Sequence, residues 1–125
     1  MMATLLFWLY LINLTLLIVH EMDSVYWKEW DLFGLPGGVE GFLLVHIPLI
    51  LIALYGLIWI YQQTLAGLIV SLVISVAGMG GFGLHTYFIR TGHPEFKTPL
   101  SRMILIGMLF VSLAQMSVTI YLLRG

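Results

Sequence analysis

The sequence has no cysteine and very little charge. Without cysteine there are no disulfides, no cysteine-ligated zinc site and no iron–sulfur cluster. The 125 residues include five Lys+Arg and six Asp+Glu, so 9% are charged, whereas about 25% are charged in a typical soluble domain. Because so few charges cannot cover a water-exposed surface, this composition excludes a soluble enzyme, a nucleic-acid-binding protein and a disordered chain.

Long apolar runs take the place of charge. Hydrophobic residues make up 61% of the chain, and its mean hydropathy is +1.05. A membrane-spanning helix needs about 20 apolar residues, and four segments are long enough. Their approximate bounds are residues 3–20, 41–61, 65–89 and 99–123. The sequence therefore predicts an all-α integral membrane protein, in which residues 1–125 form a single four-transmembrane-helix bundle with an interfacial link at 21–40.

Polar residues gather at one end of this predicted bundle. Four crossings put both chain termini and the Gln62-Gln63 turn on one side, and the links 21–40 and 90–98 on the other. All six acidic residues, all four histidines and four of the five basic residues fall on the second side. Because short loops rich in Lys and Arg stay in the cytoplasm, we expect the histidine-rich end to face the cytoplasm.

The first span carries a polar stripe. Residues that share one face at 3.6 residues per turn include Asn13, His20, Ser24 and Trp27. A polar side chain within the membrane avoids lipid, so we expect this face to look into the bundle. Residues 21–31 are expected to continue the first helix along the interface, and residues 35–38 to form a turn.

Proline and glycine mark the later spans. Pro48 removes a backbone hydrogen bond and is expected to kink the second span near His46. We interpret the glycines before His85 as close helix packing, with an opened backbone lining a cavity as the alternative. These glycines are Gly78, Gly80, Gly81 and Gly83. Thr98 and Pro99 are typical of a helix start.

The histidines and nearby carboxylates predict a divalent metal site, with zinc as the first choice and iron as the second. Imidazole and carboxylate ligands for these metals come here from three spans and one link at a single depth. The predicted ligands are His20, Asp23, His46, His85 and His93. Glu21 is the predicted general base, because it adjoins a ligand but points about 100° away. Arg90 or Arg102 is expected to hold an anionic headgroup or to stabilise a developing oxyanion.

We interpret the other acids and the methionines as structural. Glu29 and Asp31 flank Trp30 in a segment expected to be wet, which is typical of solvated charges. Glu40 is expected at the start of the second span, where an acid favours the helix dipole. Glu95 is interpreted as an exposed loop carboxylate. The methionines interpreted as packing rather than as copper ligands are Met103, Met108 and Met116.

The run His20-Glu21-Met22-Asp23, followed by Trp27, Glu29 and Trp30 and then by His46-Ile47-Pro48, resembles small four-span prokaryotic membrane proteins of unknown function. One such group carries an HExD signature, and another carries an HxxEE motif at the end of its first span. This chain departs from the second group because Asp23 and Ser24 replace the paired glutamates. The resemblance implies a four-span layout in a prokaryotic inner membrane, and it implies no particular reaction. The residues it marks as important are His20, Glu21, Asp23 and His46.

Three functions fit these observations. The first is a metal-dependent, hydrolase-like membrane enzyme that acts at the interface on a lipid-like substrate. The second is a non-catalytic accessory subunit of a larger membrane complex, and the third is electron transfer through haem held between His46 and His85. Transport ranks below these because no charge lies at mid-bilayer. Expected partners are membrane lipids and further copies of the chain or a larger membrane complex, with no nucleic acid.

Overall fold

Four long helices dominate the computed structural model, which describes residues 1–93 and 98–125. The elements are α1 (Met2–Tyr26), α2 (Glu29–Leu32), α3 (Gly38–Tyr61), α4 (Leu65–Arg90) and α5 (Pro99–Arg124). All except α2 are long and apolar enough to cross a membrane, and each predicted span lies within one of them. The prediction of an all-α, four-helix membrane bundle is therefore confirmed.

The helices pack so that α1 and α4 hold the bundle together. Each of these two helices contacts α3, α5 and the other, whereas α3 and α5 share no contact within the described residues. Tyr10 reaches from α1 to α3, where its hydroxyl donates to the Ala53 carbonyl at 2.6 Å. Leu6 and Leu14 of α1 pack with it in the apolar core, together with Ile60 of α3.

Buried polar side chains join α1, α4 and α5 near the middle of the bundle. The Asn13 amide donates to Ser112 Oγ at 3.0 Å and to Gln115 Oε1 at 2.9 Å. The Gln115 amide in turn donates to the carbonyl and hydroxyl oxygens of Ser71, both at 3.0 Å. Thr119 completes the set through a hydroxyl contact of 2.8 Å with Ser71. Hydrogen bonds between membrane helices average only about 0.6 kcal/mol, so this network fixes helix register more than it adds stability.

Local sequence explains where the long helices begin. The Thr98 hydroxyl accepts a hydrogen bond from the Ser101 amide at 3.1 Å, and Pro99 is the first helical residue, as predicted. Thr64 caps α4 in the same way through the Gly67 amide. Before α3, the chain reverses through Gly37, whose φ of 98° suits glycine.

The predicted extension of the first helix is confirmed as far as Tyr26 but does not reach residue 31. Helix α1 ends at Tyr26, and α2 starts separately at Glu29 after a turn through Trp27 and Lys28. Lys28 has a φ of 52°, and a residue in this left-handed conformation cannot continue a right-handed helix. The short helix that follows is anchored on α3, because buried Trp30 packs against Phe42 with ring centroids 5.5 Å apart.

The glycines of α4 divide into two kinds. A Cβ on Gly78 would meet the Ser112 side chain of α5, and one on Gly81 would lie 3.1 Å from the Met108 methyl group. Gly80 and Gly83 have nothing within 4 Å of that position. The close-packing interpretation therefore applies to Gly78 and Gly81.

In α3 the helix continues through Pro48 to Tyr61. Glu95, which was interpreted from sequence as an exposed loop carboxylate, lies outside the described residues.

Candidate metal centre

Three helices bring potential metal ligands together at the histidine-rich end of the bundle. His20 lies in the last two turns of α1, Glu29 begins α2, and His85 lies in the last two turns of α4. One ligand atom from each residue lies within 4.8 Å of the other two. The His20 and His85 rings meet edge to face with centroids 4.6 Å apart, and His85 Nε2 is 3.8 Å from Glu29 Oε1. We refer to His20, Glu29 and His85 as the triad.

The triad is withdrawn from solvent. His20 is 3% exposed, His85 is 2% exposed, and the Glu29 side chain is 14% exposed. Phe33, just after α2, lies over His85 with ring centroids 6.0 Å apart. Electrostatic interactions are stronger where water is excluded, so a cation at this position would interact strongly with the Glu29 carboxylate.

The Glu29 carboxyl has the environment of a cation ligand. Its Oε2 atom is buried and has no hydrogen-bond partner among residues 1–93 and 98–125. Burial raises the pKa of Glu29, although the Ser24 hydroxyl and the charge of His46 oppose that shift. An ionised carboxylate in such a place is costly unless a positive charge compensates it. A bound metal ion would supply that charge.

The position of Glu29 depends on the turn at Lys28. If α1 continued without a break, Glu29 would follow His20 by nine residues and lie on the opposite face, about 180° away. The turn redirects the chain, so that Glu29 points back towards the end of α1. The interpretation of Glu29 as a solvated charge is wrong, since its side chain is 14% exposed. The sequence carries no sign of the turn that buries it, because Trp27 and Lys28 include neither glycine nor proline to mark a reversal.

A second polar pair lies beside the triad. His46 Nε2 is 2.8 Å from Glu21 Oε2, and His46 Nδ1 lies 2.7 Å from the Phe42 carbonyl oxygen. When Nδ1–H donates to that carbonyl, the proton between Nε2 and Glu21 belongs to either the imidazole or the carboxyl. His46 was predicted as a metal ligand, but its Nε2 faces Glu21, so it lies outside the triad.

Two other predicted ligands also lie outside the triad. Asp23 accepts a hydrogen bond from Trp27 Nε1 at 2.9 Å, which holds its carboxylate against the end of α1. His93 is exposed and lines a surface cavity with Lys28 and Asp31. Of the five predicted ligands, the structure therefore brings together His20 and His85.

Arg90, predicted to act on the substrate, lies apart from the triad. It is exposed at the end of α4 and lines a groove between α4 and α5 with Arg102. His85 precedes Arg90 by five residues, which places their side chains about 140° apart around α4. The general base predicted from sequence, Glu21, directly follows His20 of the triad in α1 and contacts His46.

An apolar groove runs from the Glu21–His46 pair towards the middle of the bundle. Its volume is about 340 Å³, and helices α1, α3 and α4 form its walls. Glu21 and His46 lie at one end, and Leu14, Ala53 and Val70 lie at the other. Leu14 and Glu21 are seven residues apart, so the groove extends roughly 10 Å along the helices. We refer to it as the lipid groove, because its other lining residues are all aliphatic.

Comparison with known proteins places the chain in a family without assigning an activity. The model of a family of unknown function, DUF6713, matches residues 6–122. No curated protein and no solved structure matches the chain. The predicted relationship to membrane proteins of unknown function is thus confirmed. The HExD or HxxEE motif and the prokaryotic origin stay predictions. Because the match covers almost the whole chain, the protein belongs to the family of unknown function DUF6713.

Proposed function

We propose that this protein is a metal-dependent membrane enzyme that hydrolyses a lipid-like substrate at the membrane interface. The observation that carries the proposal is the convergence of His20, Glu29 and His85, whose ligand atoms lie within 4.8 Å of one another. These residues come from three separate helices, so no local sequence constraint requires them to meet. Ionisable groups buried at a membrane boundary are costly, and such groups are usually functional.

The donor set suits zinc and also suits iron. Two histidines and one glutamate ligate catalytic zinc in several hydrolases and leave a fourth position for water. Two histidines and one carboxylate also form the facial ligand set of non-haem iron enzymes. Tetrahedral ligands bonded to one zinc at about 2.0–2.2 Å lie about 3.3–3.6 Å apart. The ligand atoms of the triad, which lie within 4.8 Å of one another, would therefore move closer together by about 1 Å when they bind the ion.

The Glu21–His46 pair supplies the second part of the proposed chemistry. A metal ion at the triad would lower the pKa of a bound water molecule towards about 7 and polarise a substrate carbonyl or phosphoryl oxygen. Glu21 would accept the proton from the attacking water, and His46 would hold the carboxyl group in place through the 2.8 Å contact. Glu21 directly follows His20 in α1, so the pair lies beside the triad.

The lipid groove supports a lipid-like substrate. It offers an apolar channel of about 340 Å³ whose polar end is the Glu21–His46 pair, and ligand sites commonly measure about 300–1,000 Å³. An acyl chain lying among Leu14, Ala53 and Val70 would place its carbonyl group near that pair. The substrate would enter from the bilayer, so the reaction would take place at the level of the headgroups.

A divalent ion has more support than haem. Haem between His46 and His85 requires the two imidazoles to face each other across a slot. Instead, the His46 ring stacks on Phe42 with centroids 3.9 Å apart and hydrogen-bonds to Glu21, whereas His85 packs against His20. The imidazoles of His46 and His85 thus contact different neighbours and do not face each other across a slot for haem.

Metal analysis of Glu29→Gln tests the site directly. The purified full chain should bind about one zinc or iron ion, and Glu29→Gln should lower the affinity at least tenfold, because the only carboxylate of the triad is lost. Asp31→Asn is the matched control, since Asp31 is an exposed acid on the same short helix. If wild type binds no metal, or if both variants bind it equally, the triad is not a metal site. Co-purification of metal-free wild type with other membrane proteins would favour the accessory-subunit hypothesis.

A Glu21→Gln variant separates catalysis from metal binding. The metal-loaded protein should hydrolyse fluorogenic esters, and the rate should rise with acyl-chain length as the chain fills the lipid groove. Glu21→Gln should keep the metal but lower the rate about 10²–10⁴-fold, which is typical for loss of a general base. Absence of hydrolysis by metal-loaded wild type, or an unchanged rate in Glu21→Gln, would contradict the enzymatic part of the proposal.

A further inference from the structure

A second groove lies between α4 and α5 at the same end of the bundle as the triad. Its volume is about 270 Å³. The residues that line it are Phe82, Thr86, Ile89, Arg90, Arg102, Leu105 and Ile106. None of them belongs to the triad or lines the lipid groove. We refer to this feature as the arginine groove.

The arginine groove is amphipathic along the helix axes. Arg90 is the last residue of α4, and Arg102 lies in the first turn of α5, so both guanidinium groups are near the membrane surface. Phe82 and Ile106 lie deeper, since Phe82 precedes Arg90 by eight residues, or roughly 12 Å along the helix. The groove is thus charged where headgroups lie and apolar where acyl chains lie.

The positive charge of the groove is not balanced by the rest of the described chain. Neither Arg90 nor Arg102 forms an ion pair with a carboxylate among residues 1–93 and 98–125. Both arginines are exposed. Two acidic residues close to the triad in sequence contact other side chains: Glu21 contacts His46 and Asp23 contacts Trp27. Two guanidinium groups over an apolar groove have the charge and shape to bind an amphipathic anion.

We propose that the arginine groove binds an anionic phospholipid, with its phosphate between Arg90 and Arg102 and an acyl chain against Phe82 and Ile106. Guanidinium groups bind phosphate oxygens through paired hydrogen bonds, and basic pockets between membrane helices select anionic headgroups. The bilayer presents such lipids to this surface at high local concentration. The site does not depend on a metal at the triad, so its test is independent of the proposed enzymatic function.

Native mass spectrometry of the full chain in detergent tests this site. The probes are phosphatidylglycerol and phosphatidylcholine with identical acyl chains, so that they differ in net charge but not in apolar length. Wild type should bind phosphatidylglycerol at least tenfold more tightly, because each arginine near an anionic surface contributes roughly a fivefold effect. Arg90→Gln and Arg102→Gln should each reduce that preference about fivefold.

The matched control is Arg124→Gln at the opposite end of α5, which should keep the wild-type preference. Circular dichroism of each variant checks that the helices are intact. Equal binding of the two lipids by folded wild type, or an equal loss in Arg124→Gln, would overturn the proposal. Displacement of phosphatidylglycerol by inorganic phosphate at equal concentration would also overturn it, because the groove would then recognise free phosphate rather than a lipid.

Discussion

Among the triad residues, Glu29 shows most directly why a buried charge would bind a metal ion. Its Oε2 atom is buried without a hydrogen-bond partner in the described part of the chain, and its side chain is 14% exposed. Without a cation, this carboxyl is best accommodated with a proton, which is why burial raises its pKa. With a cation, the ionised form becomes the favourable one.

The raised pKa of Glu29 predicts a pH-dependent stability in chelator. Because the folded-state pKa lies above the unfolded one, Glu29 contributes stability that is present at acid pH and lost as pH rises through the raised value. Glu29→Gln cannot ionise, so metal-free variant protein should lose less stability than wild type as pH rises through the raised pKa of Glu29. Thermal unfolding followed by tryptophan fluorescence, with EDTA present, measures the difference.

The other titrating groups around Glu29 are shared by both proteins. His20, His85, His46 and Glu21 are present in wild type and variant alike, so the difference between the two stability curves reports the Glu29 carboxyl together with its electrostatic coupling to these neighbours. Adding zinc should stabilise wild type and leave Glu29→Gln almost unchanged. Parallel pH curves for the two metal-free proteins would show that the Glu29 carboxyl is not shifted by burial.

Among the elements, the turn between α1 and α2 decides whether Glu29 reaches the triad. Lys28 holds a φ of 52°, a conformation that glycine adopts freely and β-branched residues resist. Lys28→Gly should therefore keep metal affinity, and Lys28→Val should lower it at least tenfold by displacing α2. Calorimetric zinc titration compares the two. Equal affinities in both variants would show that the turn does not position Glu29.

The contact between α4 and α5 provides a matched pair of glycine substitutions. A Cβ on Gly78 would collide with the Ser112 side chain inside the bundle, so Gly78→Ala should destabilise the protein by about 1–3 kcal/mol. Gly80→Ala meets nothing within 4 Å and should be neutral or stabilise the helix by about 0.5–1 kcal/mol. Thermal unfolding in detergent measures both. Similar losses in the two variants would contradict the packing described for Gly78.

Sequence reasoning succeeded where helical periodicity governs the outcome. The polar face of α1 was predicted to look inwards, and Asn13, His20 and Ser24 are indeed buried. The structure pairs His46 with Glu21 rather than with the triad, and because α3 is apolar on nearly every side, its pattern does not tell which face looks inwards. The interpretation of Glu29 as a solvated charge is wrong, because its place depends on a backbone reversal at Lys28 without a glycine or proline to mark it.

Considered as a whole, the molecule concentrates its chemistry at one end. The triad, the Glu21–His46 pair and the arginine groove all lie where α1 and α4 end and α3 and α5 begin. The other end holds the tight turn at Gln62 and Gln63. Among the basic residues that the structure describes, only Arg124 lies at the same end as Gln62 and Gln63, so the charge distribution predicts that the triad end faces the cytoplasm.

Single-cysteine labelling tests this orientation against a clean background, since the chain has no cysteine of its own. In a bacterial inner membrane, Gln62→Cys should react with an impermeant maleimide applied to intact spheroplasts. Asp31→Cys should react only after lysis, because its end of the bundle faces inwards. The reverse pattern would show that the triad end faces outwards, and labelling of both variants before lysis would contradict a fixed orientation.

X-ray absorption spectroscopy of the zinc-loaded full chain examines the triad most directly. The predicted spectrum contains scattering from two imidazole rings, with nitrogen and oxygen ligands at about 2.0–2.2 Å. His85→Ala should remove the contribution of one ring, while His93→Ala should leave the spectrum unchanged. A spectrum without imidazole scattering, or one that His85→Ala does not alter, would contradict a metal centre formed by His20, Glu29 and His85.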